Sequence, residues 1–259
     1  MNIKKGVITL AGKGTRVLPL TLHQPKGMIA IADKPMFHYI VDEFRGAGIK
    51  EIILVINQQQ KVFLKYINYI KKVANHWQDT IFHFAFQKKL YGTADAIYQA
   101  KPFINPDEGF LVAFCDDLIV KGIKVIKEMM AIFQRTKKPV VCLEKVPKTS
   151  IHLYGVVDFK EDKGLLKIKR IVEKPKSIKL APSNLTIIGR FVFPYEIFQY
   201  LKKLYPYKGK ELGYYDALNI YAKKKKFFLG YLNKFKRFDC GSKQGLVEAQ
   251  AYFSKFLLK

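Results

Sequence analysis

Acidic residues are scarce in this chain. Across 259 residues, 21 aspartates and glutamates stand against 46 lysines and arginines, a formal net charge of +25. A field of that sign attracts polyanions such as nucleotides, nucleic acids and anionic membrane surfaces. The lysines are spread along the chain, however, with one dense run at Lys223–Lys226, the pattern of a solvated surface. No paired RNP aromatics and no zinc-finger spacing are present, so no nucleic-acid partner is expected. Cysteine is also rare: Cys115, Cys142 and Cys240 have an odd count and no metal-ligand spacing, which excludes a disulfide framework. The five histidines are scattered and form no ligand cluster in sequence. No apolar run approaches a membrane span, and Lys4-Lys5 leads into too few apolar residues for a secretory signal. The expectation is therefore no membrane insertion and a cytoplasmic location. Internal repeats and low-complexity linkers are missing as well.

A hydrophobic content of 49% and an aromatic content of 14% predict a globular chain with a full core. The run Gly6-Val7-Ile8-Thr9-Leu10 is apolar and partly β-branched and is followed by glycines, so it reads as a buried strand emptying into a tight loop. In Leu10-Ala11-Gly12-Lys13-Gly14-Thr15-Arg16 the two glycines allow close backbone approach, and bare N–H groups favour an anion. Arg16 and Lys26 add fixed positive charge. An ordinary basic strand-to-helix turn would look the same. Two other phosphate loops are excluded by spacing. Gly12-Lys13 is followed by Gly14 where a P-loop needs Ser or Thr, and Val17 occupies the third glycine position of a dinucleotide fingerprint.

Farther along, Met36 to Ala47 has helical periodicity with a stop at Gly48, and Glu51 to Asn57 reads as a second buried strand, which makes a βαβ unit with a parallel sheet. A helix over Lys61–Val73 and a strand over Ile81–Phe86 follow. Gln87 at that strand's end offers an amide donor and acceptor, and Gly92 a backbone contact; a surface glutamine beside a helix start is the plainer reading. Phe110 to Leu118 is an apolar strand ending in Asp116 and Asp117, at the sheet edge where ligands of open α/β folds bind. Asp117 also suits a helix cap. Val140–Glu144 continues the sheet, and beyond it strands dominate: Tyr154–Asp158, Leu166–Glu173 and Leu185–Phe193. Helices are expected over Pro194–Leu204, from Lys210 onward with Glu211 and Asp216 at its start, and from Ser242 as N-cap to Leu257. A strand from Phe227 through Leu232 and beyond is expected to end at Arg237-Phe238-Asp239.

Leu10 to Pro19, Pro25-Lys26 and Asp33-Lys34-Pro35 together resemble the signature of sugar-phosphate nucleotidylyltransferases, nearest to the bacterial UTP–glucose-1-phosphate uridylyltransferases. The resemblance runs almost the whole chain, through Gln87 with Gly92, Asp116, Tyr154-Gly155, Val172-Glu173-Lys174-Pro175, Ala181-Pro182-Ser183-Asn184 with Gly189-Arg190, and Asp239. It implies a single α/β domain of Rossmann-like type, with a mostly parallel sheet flanked by helices and a β-rich sugar-binding elaboration. About residues 1–145 would bind nucleotide and about 146–259 sugar.

The implied reaction joins UTP and α-D-glucose 1-phosphate to give UDP-glucose and diphosphate, with Mg²⁺ as cofactor. The resemblance assigns Arg16, Lys26 and Lys174 to catalysis. It assigns Leu10, Ala11, Gly12, Gly14, Thr15, Gln87 and Gly92 to the nucleotide, Gly155, Glu173, Lys174 and Asn184 to the sugar phosphate, and Asp116 and Asp239 to the metal. Two departures stand out: Gly27 where Pro-Lys-Glu is the pattern, and Gly213 with Tyr215 where polar residues are. They keep thymidylyl or cytidylyl transfer, or a catalytically silent sugar-nucleotide-binding homologue, open as alternatives. A polyanion-binding protein is the alternative suggested by charge. A short stretch between the second strand and Gln87 leaves homodimer and homotetramer both open.

Overall fold

The β-branched run after Lys5 forms the strand on which the others are laid. β1 (Ile3–Thr9) pairs in parallel with β4 (Glu51–Ile56) on one side and β6 (Gly109–Phe114) on the other. Val7 and Ile8 point to opposite faces of the sheet, as a period of two requires, and each enters a different core. The computed structural model describes residues 1–207, 209 and 211–257. The remaining elements are β2 (Ala30–Ile31), β3 (Lys34–Pro35), α1 (Met36–Gly46), α2 (Val62–Lys72), β5 (Ile81–Phe86), α3 (Thr93–Tyr98), β7 (Asp117–Ile119), α4 (Gly122–Thr136) and β8 (Val140–Lys145). They are followed by β9 (Gly155–Asp162), β10 (Leu165–Glu173), β11 (Leu185–Pro194), α5 (Ile197–Lys202), α6 (Tyr214–Lys225), β12 (Phe228–Leu232), β13 (Arg237–Asp239) and α7 (Lys243–Ser254).

Nine strands make one sheet in the order β5-β4-β1-β6-β11-β8-β12-β10-β9. β5, β4, β1 and β6 run in parallel, and β12 runs parallel to β8. Only β11 and β10 oppose their neighbours' direction, so the sheet is mostly parallel and flanked by helices. β11 lies between β6 and β8, which locks the N-terminal strands and the later strands into one surface. All its residues are buried and most are apolar; the two that are not, Thr186 and Arg190, bond to the Glu144 carbonyl and to the Glu43 carboxylate. α1 covers one face with Met36, Phe37, Ile40, Val41 and Phe44, and its chain leaves through Gly48 at φ +94°.

Four expectations shift. Pro194 closes β11, paired with Gly109, so the helix foreseen from Pro194 starts only at Ile197. The strand foreseen beyond Leu232 is broken: the Asn233 amide bonds the N–H and C=O of Phe235 and makes a turn, and β13 then pairs with β7. The helix foreseen from Lys210 starts at Tyr214, leaving Glu211 ahead of it; Lys210 itself lies outside the described residues. Asp117 caps no helix, because α4 starts later, at Gly122. The last helix is capped as foreseen, with Ser242 Oγ accepting from the Gly245 N–H at 3.0 Å.

Candidate active site

Beyond Leu10, whose N–H still donates to Val55, the backbone N–H groups from Ala11 to Arg16 donate to no protein acceptor among the described residues. The carbonyls are different. Gln60 donates to Leu10 O at 3.1 Å, and Thr21 Oγ1 to Gly14 O at 2.9 Å. A loop with satisfied acceptors and bare donors is an anion cradle. Gly14 sits at φ +66°, where a Cβ would also strike the Thr21 methyl at 2.7 Å, and Gly12 faces open space.

Beside this loop the cations and carboxylates converge. Lys26 Nζ lies 2.5 Å from Asp116 Oδ2, and Arg16 reaches Asp116 at 3.6 Å and Asp239 at 3.9 Å. Burial alone would push the Lys26 amine's pKa down; the Asp116 carboxylate outweighs it and holds the amine above its ordinary value. Burial likewise works to raise the pKa of Asp116, and the Lys26 ammonium prevails to lower it. Arg16, with 62% of its side chain exposed, is held loosely and can turn to a phosphate. Asp239 enters because β13 pairs antiparallel with β7, setting Asp239 opposite Asp117. A Cβ on Gly241 would stand 2.6 Å from Asp116 Oδ2 and 2.9 Å from Asp239 Oδ1, so the two carboxylates line one small cradle that only a glycine leaves free. Hard oxygen donors disposed in this way suit Mg²⁺.

Several residues that the sequence reading named only as strand ends or motif members support this site. Arg237, 6% exposed at its side chain, grips Asp117 at 2.5 Å, Glu144 at 2.9 Å and Asp239 at 3.7 Å. Asp117 also accepts from the Gly189 N–H at 2.6 Å. Arg190 makes a buried two-pronged pair with Glu43 at 2.7 and 2.9 Å and donates to Asp117 O. Gly189-Arg190, grouped in sequence with the sugar motifs, therefore supports the aspartates from beneath. Tyr154 donates to Asp239 at 3.2 Å and its carbonyl accepts from the Lys174 N–H at 3.0 Å, which joins the carboxylates to the Glu173-Lys174 motif.

That motif forms a second cluster. Gly155 is paired with Glu173 across β9 and β10, and a Cβ on Gly155 would approach the Glu173 carboxylate at 2.9 Å. Lys174, at φ +45° and 64% exposed, leans on Glu173 at 3.7 Å. Burial raises the Glu173 pKa, and Lys174 only partly offsets that. The half-buried Tyr214 lies beside Gly155. Asn184 exchanges bonds with the Val146 backbone, which leaves its side-chain oxygen as the group available to a ligand.

Gln87 is 3% exposed, and its Nε2 donates to Gly92 O at 3.0 Å and to Asp95 Oδ2 at 2.7 Å. Its Oε1 accepts from no protein donor among the described residues, and neither does the Gly92 N–H donate. Turning the amide over would set its oxygen against two acceptors, so Asp95 fixes the orientation. Gln99 and Tyr205 donate to the other Asp95 oxygen. Gly92, at φ +127°, is a glycine for a reason sequence did not supply: Glu211 Cγ and Leu212 O would each lie 2.6 Å from a Cβ there.

Both departures have packing causes. A Cβ on Gly27 would meet Leu10 at 2.7 Å and Phe63 at 3.3 Å, so the space of the missing carboxylate is filled by core. Gly213 lies under the Tyr215 ring, and the two substitutions are one adaptation.

An open α/β sheet carrying a bare-donor loop, two cations and a carboxylate pair has the chemistry to receive a polyphosphate. The nucleotidyl transferase family model matches residues 5–255, and the chain belongs to that family. It is 35% identical to the UTP–glucose-1-phosphate uridylyltransferase of Staphylococcus epidermidis, over 95% of this chain and 91% of that protein. Its fold superposes with a TM-score of 0.87 on a UDP-glucose pyrophosphorylase complexed with UDP-glucose, at 35% identity, covering 98% of this chain and 99% of the other. A UTP-bound UGPase from Acinetobacter baumannii matches with a TM-score of 0.82 at 28% identity, over 97% of this chain and 93% of that one.

Proposed function

We propose that this chain is a UTP–glucose-1-phosphate uridylyltransferase. A phosphate oxygen of glucose 1-phosphate attacks the α-phosphorus of UTP in line, a new P–O bond forms, the bond to the bridging oxygen breaks, and its electron pair leaves with diphosphate. The nucleophile is already an anion, so positioning and charge neutralisation carry the rate. The N–H groups from Ala11 to Arg16 hold the triphosphate, and Arg16 and Lys26 neutralise the charge gathering on the departing diphosphate. Asp116 and Asp239 are the carboxylates that would hold Mg²⁺, which when bound supplies Lewis-acid neutralisation of phosphate oxygens. Lys174 draws in the sugar phosphate as a point charge, while Glu173, Gly155 and Asn184 meet the sugar.

The observation that carries this reading is the joining of the two clusters through Tyr154, which bonds Asp239 on one side and Lys174 on the other. The base is read by Gln87 Oε1 as acceptor beside the Gly92 N–H as donor. That pair complements the N3–H and adjacent carbonyl of uracil and opposes cytosine, whose N3 accepts and whose N4 donates. Thymine has the same edge, so dTTP is the competitor this geometry leaves. The test is diphosphate release with glucose 1-phosphate and Mg²⁺, run separately with UTP, dTTP, CTP, ATP and GTP. Preference for UTP supports the reading, preference for dTTP renames the nucleotide, and no release with any of the five overturns it.

A further inference from the structure

Away from the aspartate pair, His38, Asp42 and His76 converge at the outer side of α1, with their ligand atoms all within 4.8 Å of one another. His38 Nε2 lies 3.2 Å from Asp42 Oδ2, and His76 Nε2 lies 3.3 Å from Asp42 Oδ1. Ligands placed about 2.0–2.1 Å from a tetrahedral Zn²⁺ stand roughly 3.3 Å apart, so three ligand atoms already within 4.8 Å of one another need only small side-chain rotations to meet a single ion. We propose that His38, Asp42 and His76 form a binding site for a divalent transition metal of the Zn²⁺ class, separate from the Mg²⁺ site of the transfer reaction.

Three features support the assignment. His38 and Asp42 are four residues apart on α1, so their side chains share one helix face. The surroundings orient the ligands as outer partners of a metal site do. Tyr66 Oη lies 2.9 Å from His38 Nδ1, and with Nδ1–H donating to it the Nε2 lone pair is left for a cation. Trp77 Nε1 donates to Asp42 Oδ1 at 2.8 Å. Finally, His76 is 47% and Asp42 31% exposed at the side chain, which leaves solvent access and room for a water as fourth ligand. Lys34, 3.6 Å from Asp42 Oδ2, opposes a cation, but it is 37% exposed and its flexible stem can carry it aside. Arg45 and Lys50, which line the same hollow, are paired with Asp79 at 2.7 and 3.0 Å. Two imidazoles and one carboxylate, without thiolate, favour Zn²⁺ over Mg²⁺ or Ca²⁺. Such an ion would tie α1 to the segment following α2.

The test titrates Zn²⁺ alone into the metal-stripped full chain, in competition with a chromophoric chelator. His76→Ala, Asp42→Asn and Asp116→Asn are run in parallel. The expected result is one equivalent bound with a Kd in the micromolar range or tighter, weakened at least tenfold by His76→Ala and by Asp42→Asn but retained in Asp116→Asn. Half-exposed His76 makes His76→Ala safe for folding, and its Mg²⁺-dependent transfer rate should equal that of the parent chain. Co²⁺ should give the visible absorption of a tetrahedral site in the parent and not in His76→Ala. Zn²⁺ binding that is equal in parent and His76→Ala, or no binding below about 1 mM, would overturn the proposal and leave a hydrogen-bonded His–Asp cluster.

Discussion

Gly241 is small because two carboxylates and a guanidinium surround the place its side chain would take. It is not held at positive φ, so alanine there crowds the site without straining the backbone. Gly241→Ala is expected to lower kcat at least tenfold while leaving the thermal midpoint near that of the parent, which steady-state kinetics and calorimetry would check together. Asp116→Asn should cost a factor on the order of a hundred or more in kcat, the usual effect of losing one electrostatic stabiliser. At the base, Asp95→Asn presents a donor where only acceptors stood, allowing the Gln87 amide to turn over. Its preference for UTP over CTP in kcat/KM should fall at least tenfold, whereas a merely structural effect would depress both nucleotides equally. Glu173 accepts sugar hydroxyls best when ionised, and burial lifts its pKa. The KM for glucose 1-phosphate should therefore rise, as pH falls, before an ordinary glutamate would titrate, and Glu173→Gln should abolish that acid limb.

Between elements, the Arg190–Glu43 pair fastens β11 to α1 beneath the aspartates, with 1% and 8% of the side chains exposed. Arg190→Met leaves Glu43 buried without its partner, a change that costs about 3–5 kcal/mol. Denaturant unfolding should show that loss, and Arg190→Met combined with Glu43→Leu should recover most of it. The pair also shows where sequence reading stops. β1, α1, β4 and the Gln87 strand end were legible because their apolar periods and glycine stops are local. The glycine loop, Asp116, Asp239 and Glu173-Lys174 could be picked out as candidates because each lies in a short contiguous motif. Arg237, Glu144 and Tyr154 act through partners some 85 to 120 residues distant, and no local period records such a contact. Gly27 and Gly92 were visible as glycines, but the neighbours that require them, Phe63 and Leu212, become apparent only in the packed chain.

For the whole molecule, the charge of +25 invites the idea that the entire surface draws in UTP. Screening argues for a smaller source. The Debye length is about 10 Å at 0.1 M salt, so exposed charges farther away contribute little. The densest cluster, Lys223–Lys226, closes α6, whose opposite end at Tyr214 abuts Gly155 beside Glu173. A helix rises about 1.5 Å per residue, which puts the run roughly 15 Å along the axis from that contact, beyond one Debye length. The attraction felt by a triphosphate should then come mainly from Arg16, Lys26 and the bare loop donors. The kcat/KM for UTP is expected to fall several-fold as NaCl rises from about 0.05 to 0.3 M, with kcat nearly constant, since steering acts on encounter. Replacing the four lysines of Lys223–Lys226 with glutamine should leave that salt slope unchanged, whereas Arg16→Gln should flatten it. A slope that followed the four lysines instead would mean that the distant field, and with it a broader affinity for polyanions, does what the loop is credited with here.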